Sequence, residues 1–331
     1  MITKNDKENN ISNLVKHTAQ YVFDNSSNVS INTQKLEEYT QSIISNSLKE
    51  IPSWKSCHFD HVKCNLETVV AYICVLDSLN FCFWPTTKLG FEFEYGDLVN
   101  CLNILLESQK EFFKADYLSH LTSNELQNIL TKSLNKFPLL DERCRSLNEM
   151  GSFIVNKYKG SFENLIIDNN GDLNLIMKSI LQNVSTFRDE TIYKGKQIFM
   201  YKRIQILGAD LYSAIKEMTK NVNITIKGVE HLTMFPDYRV PQILCELGIL
   251  EYSDKLLNDI LKLNEIPPNS EQEIEIRANT IIVVELMKKI LTSNTLENEI
   301  LSIHIDYLLW NEGEKMRKKI VPHHRTLTIF Y

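Results

Sequence analysis

The residues best placed to do chemistry lie in one stretch, Met234-Phe235-Pro236-Asp237-Tyr238-Arg239-Val240-Pro241-Gln242. It sets a carboxylate between two prolines, with Phe235 and Tyr238 close by and an arginine two positions on. Each proline fixes its own φ and disfavours the helical region for the residue before it. Asp237 is therefore expected at a stiff loop-to-helix junction, with Pro241 opening a helix over Gln242–Leu247. A carboxylate held at such a corner can point into a cavity with little freedom to relax. There it can stabilise positive charge, attack an electrophilic carbon or orient a water. Taken alone, the local pattern favours a plainer reading, in which Asp237 is a helix-start residue paired with Arg239.

Three other places carry candidate groups. Asp306 interrupts the largely apolar run Ile303–Leu309, and a buried carboxylate costs free energy unless donors surround it. A ligand offering N–H groups would supply them, and so would an internal ion pair or exposure of that strip. Helical spacing puts Asp306 with Trp310 on one face and Tyr307 with Asn311 on another. Lys202 and Arg203 fall in the first turn of a helix expected over Tyr201–Met218, where cations oppose the macrodipole unless an anion sits nearby. Backbone donors at that helix start, together with Lys202, would suit a phosphate. The alternative is a solvated basic turn. His58 and His61 stand three apart but have no obvious third ligand, so no metal site is expected.

The elements that must position these groups read as mainly helical. Apolar spacing predicts helices over Ile11–Phe23, from the Asn32-Thr33 cap through Ile43 and Ile44, and over Leu66–Leu79, Tyr95–Phe113, Asn124–Leu134 and Asp141–Lys157. Further helices are expected over Asp254–Leu263, Glu271–Leu291 and Asn298–Glu312. Asn169-Asn170-Gly171-Asp172 is a turn. Thr191–Tyr193, Lys194-Gly195-Lys196 and Ile198-Phe199 read as a small β-hairpin, and Arg325–Tyr331 alternates like a strand that could pair with it. The polar residues 1–10 are expected to be a flexible end. With no internal repeat or low-complexity linker, 11–331 reads as a single domain.

Composition narrows the function classes. Hydrophobic residues at 43% and charged residues at 24% are ordinary for a soluble globular protein, and only 10 Gly and 8 Pro argue against an all-β chain. The net charge of −6 disfavours a stable complex with polymeric nucleic acid, which normally needs a surplus of positive charge. A single nucleotide needs only a local basic cluster. Seven cysteines without a C-x-x-C pair, behind a polar N-terminus, read as reduced thiols of a cytoplasmic protein. No apolar run approaches the roughly 18 residues of a membrane span.

Several blocks, in order, resemble one family. Phe235-Pro236-Asp237-Tyr238-Arg239-Val240-Pro241-Gln242 is similar to the signature of the queuosine salvage family, the queuosine 5′-phosphate N-glycosylase/hydrolases. Leu79-Asn80-Phe81-Cys82-Phe83-Trp84, Tyr201-Lys202-Arg203-Ile204-Gln205-Ile206-Leu207 and Ile305-Asp306-Tyr307-Leu308-Leu309-Trp310 agree with it. So does the closing Pro322-His323-His324-Arg325-Thr326 to Phe330-Tyr331. Together they run from about Trp54 to the C-terminus, which is more specific than any single short motif.

The resemblance implies hydrolysis of the N-glycosidic bond of queuosine 5′-monophosphate, releasing queuine and ribose 5-phosphate without a metal or cofactor. It also implies a single helical domain resembling helix-hairpin-helix DNA glycosylases, and the Lys227-Gly228-Val229 turn faintly resembles their hairpin. Asp237 would act on the ribose with Phe235 packed against the base, and Lys202 would take the 5′-phosphate. His58 would contact the base, Tyr307 would shape its pocket, and Asp306 and Asn311 would hydrogen-bond its edges. Such bonds matter because a 7-deazaguanine has no N7 to protonate. Asn311 stands where some relatives are expected to have Asp, and an amide there carries no charge. Two other readings remain, a DNA base-excision glycosylase and a non-catalytic helical interaction protein.

Overall fold

Apolar residues at helical spacing become buried helix faces through most of the chain. A computed structural model describes residues 10–46, 54–84, 94–131, 138–218, 222–294 and 300–331. The expected flexible end lies outside the described residues except for Asn10, as do residues 132–134 of one expected helix and 298–299 of another. Fifteen α-helices and two two-stranded antiparallel sheets form among the described residues, so the chain is mainly α.

Two compact units divide it. The first combines Met1–Ile51, Asp189–Gln205 and Glu230–Thr328; the second combines Pro52–Arg188, Ile206–Val229 and Ile329–Tyr331. The chain passes from one to the other after Ile51, Arg188, Gln205, Val229 and Thr328, which is why no linker marks the division in the sequence.

The first unit is built on the helix Glu271–Asn294, whose residues from Glu273 to Val284 are all buried. Helices Ile11–Asn25, Thr33–Asn46, Arg239–Glu246 and Ser302–Met316 pack against it. Burial of its polar residues requires partners, and Glu275 has them. Its carboxylate accepts from the backbone N–H of Ser27, Asn28 and Val29 and from the Tyr193 hydroxyl. That fixes the approach to β1 (Val29–Ile31). The hairpin forms as β2 (Glu190–Tyr193) and β3 (Lys196–Phe199), with Lys194 and Gly195 both at positive φ as a tight two-residue turn demands. β1 pairs with β4 (Leu250–Tyr252), a sheet that no sequence signal announced.

In the second unit Leu140–Tyr158 is the central helix, packed against Leu66–Leu79 and Ala115–His120. Gly151 permits the latter crossing: a Cβ there would lie 2.6 Å from the Ala115 carbonyl oxygen. Arg143, fully buried, donates to the carbonyls of Pro138, Leu79, Phe81 and Cys82 and lies 4.4 Å from the Phe81 ring centre.

The strand expected over Arg325–Tyr331 does not pair with the hairpin. His324, Thr326 and Thr328 do alternate inward, but Arg325 bridges Glu265, and the Tyr331 carbonyl accepts from Cys82 N–H.

Candidate functional site

Asp237 sits at a loop-to-helix corner, as its flanking prolines require. The helix that follows is Arg239–Glu246, three residues earlier than Pro241 suggested. The cause is Asp237 itself: its Oδ1 accepts from the N–H of Arg239 at 2.8 Å and of Val240 at 3.1 Å. The plain helix-start role is therefore real. The pairing with Arg239 is not a side-chain one, because that guanidinium engages Glu314 at 2.6 Å and also Gln242. Capping occupies one carboxylate oxygen and fixes the direction of the other.

The loop ahead of Asp237 is pinned residue by residue. Gln205 Oε1 accepts from Thr233 N–H at 3.0 Å, and Gln205 Nε2 donates to Thr233 Oγ1 at 2.6 Å. Asp306 Oδ1 accepts from Phe235 N–H at 2.9 Å. Arg277 Nε donates to the Pro236 carbonyl at 2.9 Å, and Asp237 N–H closes on the Phe235 carbonyl at 2.7 Å. Three side chains, those of Gln205, Asp306 and Arg277, thus hold Thr233, Phe235 and Pro236.

Asp306 is 5% exposed, and its carboxyl is held well above the usual carboxylate range. Burial is the chief cause and the negative charge of Asp237 adds to it, while the Phe235 N–H and Lys202 act in the other direction. Asp237 keeps part of its surface accessible, yet burial still dominates its titration and raises its pKa. Lys202, the two helix N–H groups and the Arg239 charge oppose that rise. Asp237 has more positive compensation than Asp306, so of the two Asp306 holds its proton more strongly and Asp237 is the readier to ionise.

Lys202 is buried within electrostatic reach of both carboxylates. Its helix, Lys202–Glu217, begins against protein: Asp189 Oδ2 accepts from Lys202 N–H at 3.3 Å. That backbone donor is thus engaged within the protein. Phe235 is 9% exposed, beside Asp237 in the loop. Tyr307 and Asn311 are half-buried on the helix that carries Asp306, with Asn311 Nδ2 donating to the Tyr307 carbonyl at 2.7 Å.

Thus Asp237, Asp306, Lys202 and Phe235 come together in the first unit. His58 belongs to the second unit, where its Nε2 meets the Tyr95 hydroxyl at 2.9 Å and its carbonyl accepts from Asn103. An open groove of about 300 Å³ lined by Asn148, Glu149, Lys157 and Asn183 also lies in the second unit and includes none of the predicted site residues. Among the described residues no cluster of three or more His, Cys, Asp or Glu side chains is arranged to hold a metal ion. No helix there is long and apolar enough to cross a membrane.

Sequence reasoning missed Arg277, Asp189 and Gln205. Arg277 offered one faint signal, a guanidinium four residues after Glu273 on a helix that also carries Ile274, Ile276, Ile281 and Ile282. Its main partner, Asp189, is 88 residues away.

The queuosine salvage protein family matches residues 59–331. A queuosine 5′-phosphate N-glycosylase/hydrolase of Dictyostelium discoideum is 38% identical over 96% of this chain and 98% of its own length. The protein of the same name from Sphaerobacter thermophilus is 34% identical over 85% and 86%, and that of Bos taurus 31% over 96% and 98%. With the family match over residues 59–331 and relatives at 31–38% identity over nearly the whole of both chains, the chain belongs to the queuosine salvage protein family.

Proposed function

We propose that this protein hydrolyses the N-glycosidic bond of queuosine 5′-monophosphate, releasing queuine for tRNA modification together with ribose 5-phosphate. The observation that supports the site assignment is the geometry of Asp237, anchored at Oδ1 by two helix N–H groups in the unit that also holds the buried Asp306 and Lys202. Cleavage of a nucleoside passes through positive charge on the ribose ring, and a fixed anion in a poorly hydrated site stabilises that charge without reorganising. The second oxygen of Asp237 serves this purpose, either by direct attack on the anomeric carbon or by orienting water.

The leaving base is the harder half of the reaction. A 7-deazaguanine has no N7 to accept a proton, so charge leaves through its other edges. Asp306, with its raised pKa, can present a carboxylic acid hydrogen to an acceptor on the base. Tyr307 and Asn311 complete that edge, Phe235 packs on the base plane, and His58 contributes to base recognition. The Lys202 ammonium neutralises the 5′-phosphate. The same reading takes 11–331 as one working domain of the helix-hairpin-helix DNA glycosylase kind. Support comes from a family match that reaches both units and from Gly228, at φ 90, in the Lys-Gly-Val turn. A cytoplasmic location is supported by seven cysteines that are not joined in disulfides.

Base release from queuosine 5′-monophosphate by wild type and Asp237→Asn tests this. The amide keeps a cap acceptor but loses the charge, so release is expected to fall by about 10²–10³-fold or more. Equal release from both would keep the enzyme and discard Asp237. No release from either folded protein would return the question to a DNA glycosylase or a helical interaction protein.

A further inference from the structure

We propose that Arg277 is a positioning residue for this reaction, holding the backbone of Asp237 and the start of the Lys202 helix in one fixed relation. The proposal rests on the assignment of Asp237 above. The Pro236–Asp237 peptide has few ways to move. Proline fixes φ of residue 236, which leaves ψ as its one soft torsion. Rotation about ψ swings the Pro236 carbonyl, and that carbonyl is where Arg277 Nε donates, at 2.9 Å.

The rest of the guanidinium is fixed as tightly. Nη1 donates to Asp189 Oδ1 at 3.0 Å and to Glu273 Oε1 at 3.3 Å, and Nη2 donates to Asp189 Oδ2 at 2.5 Å. The three charged side chains are 4–6% exposed, so solvent neither screens nor replaces these bonds. Asp189 Oδ2 also accepts from Lys202 N–H. One planar fork therefore links the peptide that carries the anion to the amide of the residue that carries the cation. A lysine at 277 would keep the charge but could not serve the Pro236 carbonyl and both Asp189 oxygens with the same geometry.

The test is steady-state kinetics of base release by Arg277→Lys, with folding checked by circular dichroism and the thermal midpoint. Misplacing the carboxylate by a fraction of its reach is expected to lower kcat by about 10²-fold. KM should change less, staying within about threefold, because every side chain that binds phosphate or base is retained and Asp189 still accepts from Lys202 N–H. The double variant Asp237→Asn/Arg277→Lys should be no slower than Asp237→Asn alone, since Arg277 acts through Asp237. A merely structural arginine would lower the folded fraction and leave kcat per folded molecule unchanged, which overturns the proposal. So does an additive loss in the double variant.

Where Arg277→Lys does not fold, Asp189→Asn carries the test. It keeps an acceptor for Nη1 but loses the charge that orients the fork, and about a tenfold fall in kcat is expected. Unchanged kcat there overturns the proposal. If Asp237→Asn is itself fully active, the site assignment has failed. If Asp237→Asn is inactive while Arg277→Lys keeps wild-type kcat, the positioning role alone has failed.

Discussion

Arg143 in the second unit and Arg277 in the first are both buried, and each pins a loop that carries an aromatic motif. Arg143 spreads its N–H groups over the carbonyls of Pro138, Leu79, Phe81 and Cys82 and lies against the Phe81 ring. Arg277 gives one N–H to the Pro236 carbonyl and the others to Asp189 and Glu273. In the first arrangement the guanidinium is a template for backbone shape, and Cys82 is held at φ 47 within it. In the second, two carboxylates face the guanidinium, so it can fix a peptide plane next to a reactive anion while adding little field of its own. The charges that do act on Asp237 come from Lys202 and Arg239. Geometry and electrostatics at the site are supplied by different residues.

The sharpest way to break this comparison is Arg143→Met. The substitution leaves several carbonyls buried without donors, each costing about 1–3 kcal/mol, so a total loss of about 4 kcal/mol is expected in urea unfolding. A loss below about 1 kcal/mol would mean that Arg143 is a passenger in its loop.

A smaller and opposite effect is expected from Asp306→Asn. The folded pKa of Asp306 is raised above its ordinary 3.8, so the folded state holds a proton that the unfolded chain gives up first. The contribution of Asp306 to stability is therefore fullest below about pH 4 and declines as pH rises toward its folded pKa, by about 1.4 kcal/mol per unit. Asparagine keeps the acceptor for Phe235 N–H and removes that decline. Relative to wild type, the variant should gain stability as pH rises from 3 to 7, while losing base release. Equal stability at both pH values would show that burial does not tax this carboxylate.

The smallest effect is expected at Gly313, where the helix Ser302–Met316 meets Arg239. A Cβ there would lie 3.1 and 3.2 Å from Cγ and Cδ of Arg239 and 3.3 Å from its carbonyl oxygen. Gly313→Ala gains helix propensity and crowds a flexible side chain, so the net change should stay within about 0.5 kcal/mol. A loss of several times that would show Arg239 to be as rigid as Arg277.

How much of this was legible depended on range. Leu66–Leu79 forms with the boundaries its apolar spacing predicts, and Asn65 caps it through Thr68 N–H. The hairpin was readable because Lys194-Gly195 is a local turn signal. β1 and β4 were not, since each is three residues long and Ser30 pairs with Glu251 across most of the chain. The helix after Asp237 starts early because a side chain, not Pro241, supplies the cap. Asp237, Asp306 and Lys202 stood out as charges in apolar or stiff contexts. Arg277 did not, because its value comes from Asp189 and Pro236, neither of which is its neighbour in sequence.

The interleaving of the two units has a consequence for recombination. A fragment beginning at Asp189 would retain Lys202, Asp237, Arg277 and Asp306. It would lack the helices Ile11–Asn25 and Thr33–Asn46 that cover Glu271–Asn294, and with them the Ser27–Val29 loop that Glu275 holds. No contiguous cassette carries the site with its own support. Exchange of segments between relatives must therefore keep the two ends of the gene together, and a single crossover in the middle separates the carboxylates from the helices that hold their scaffold.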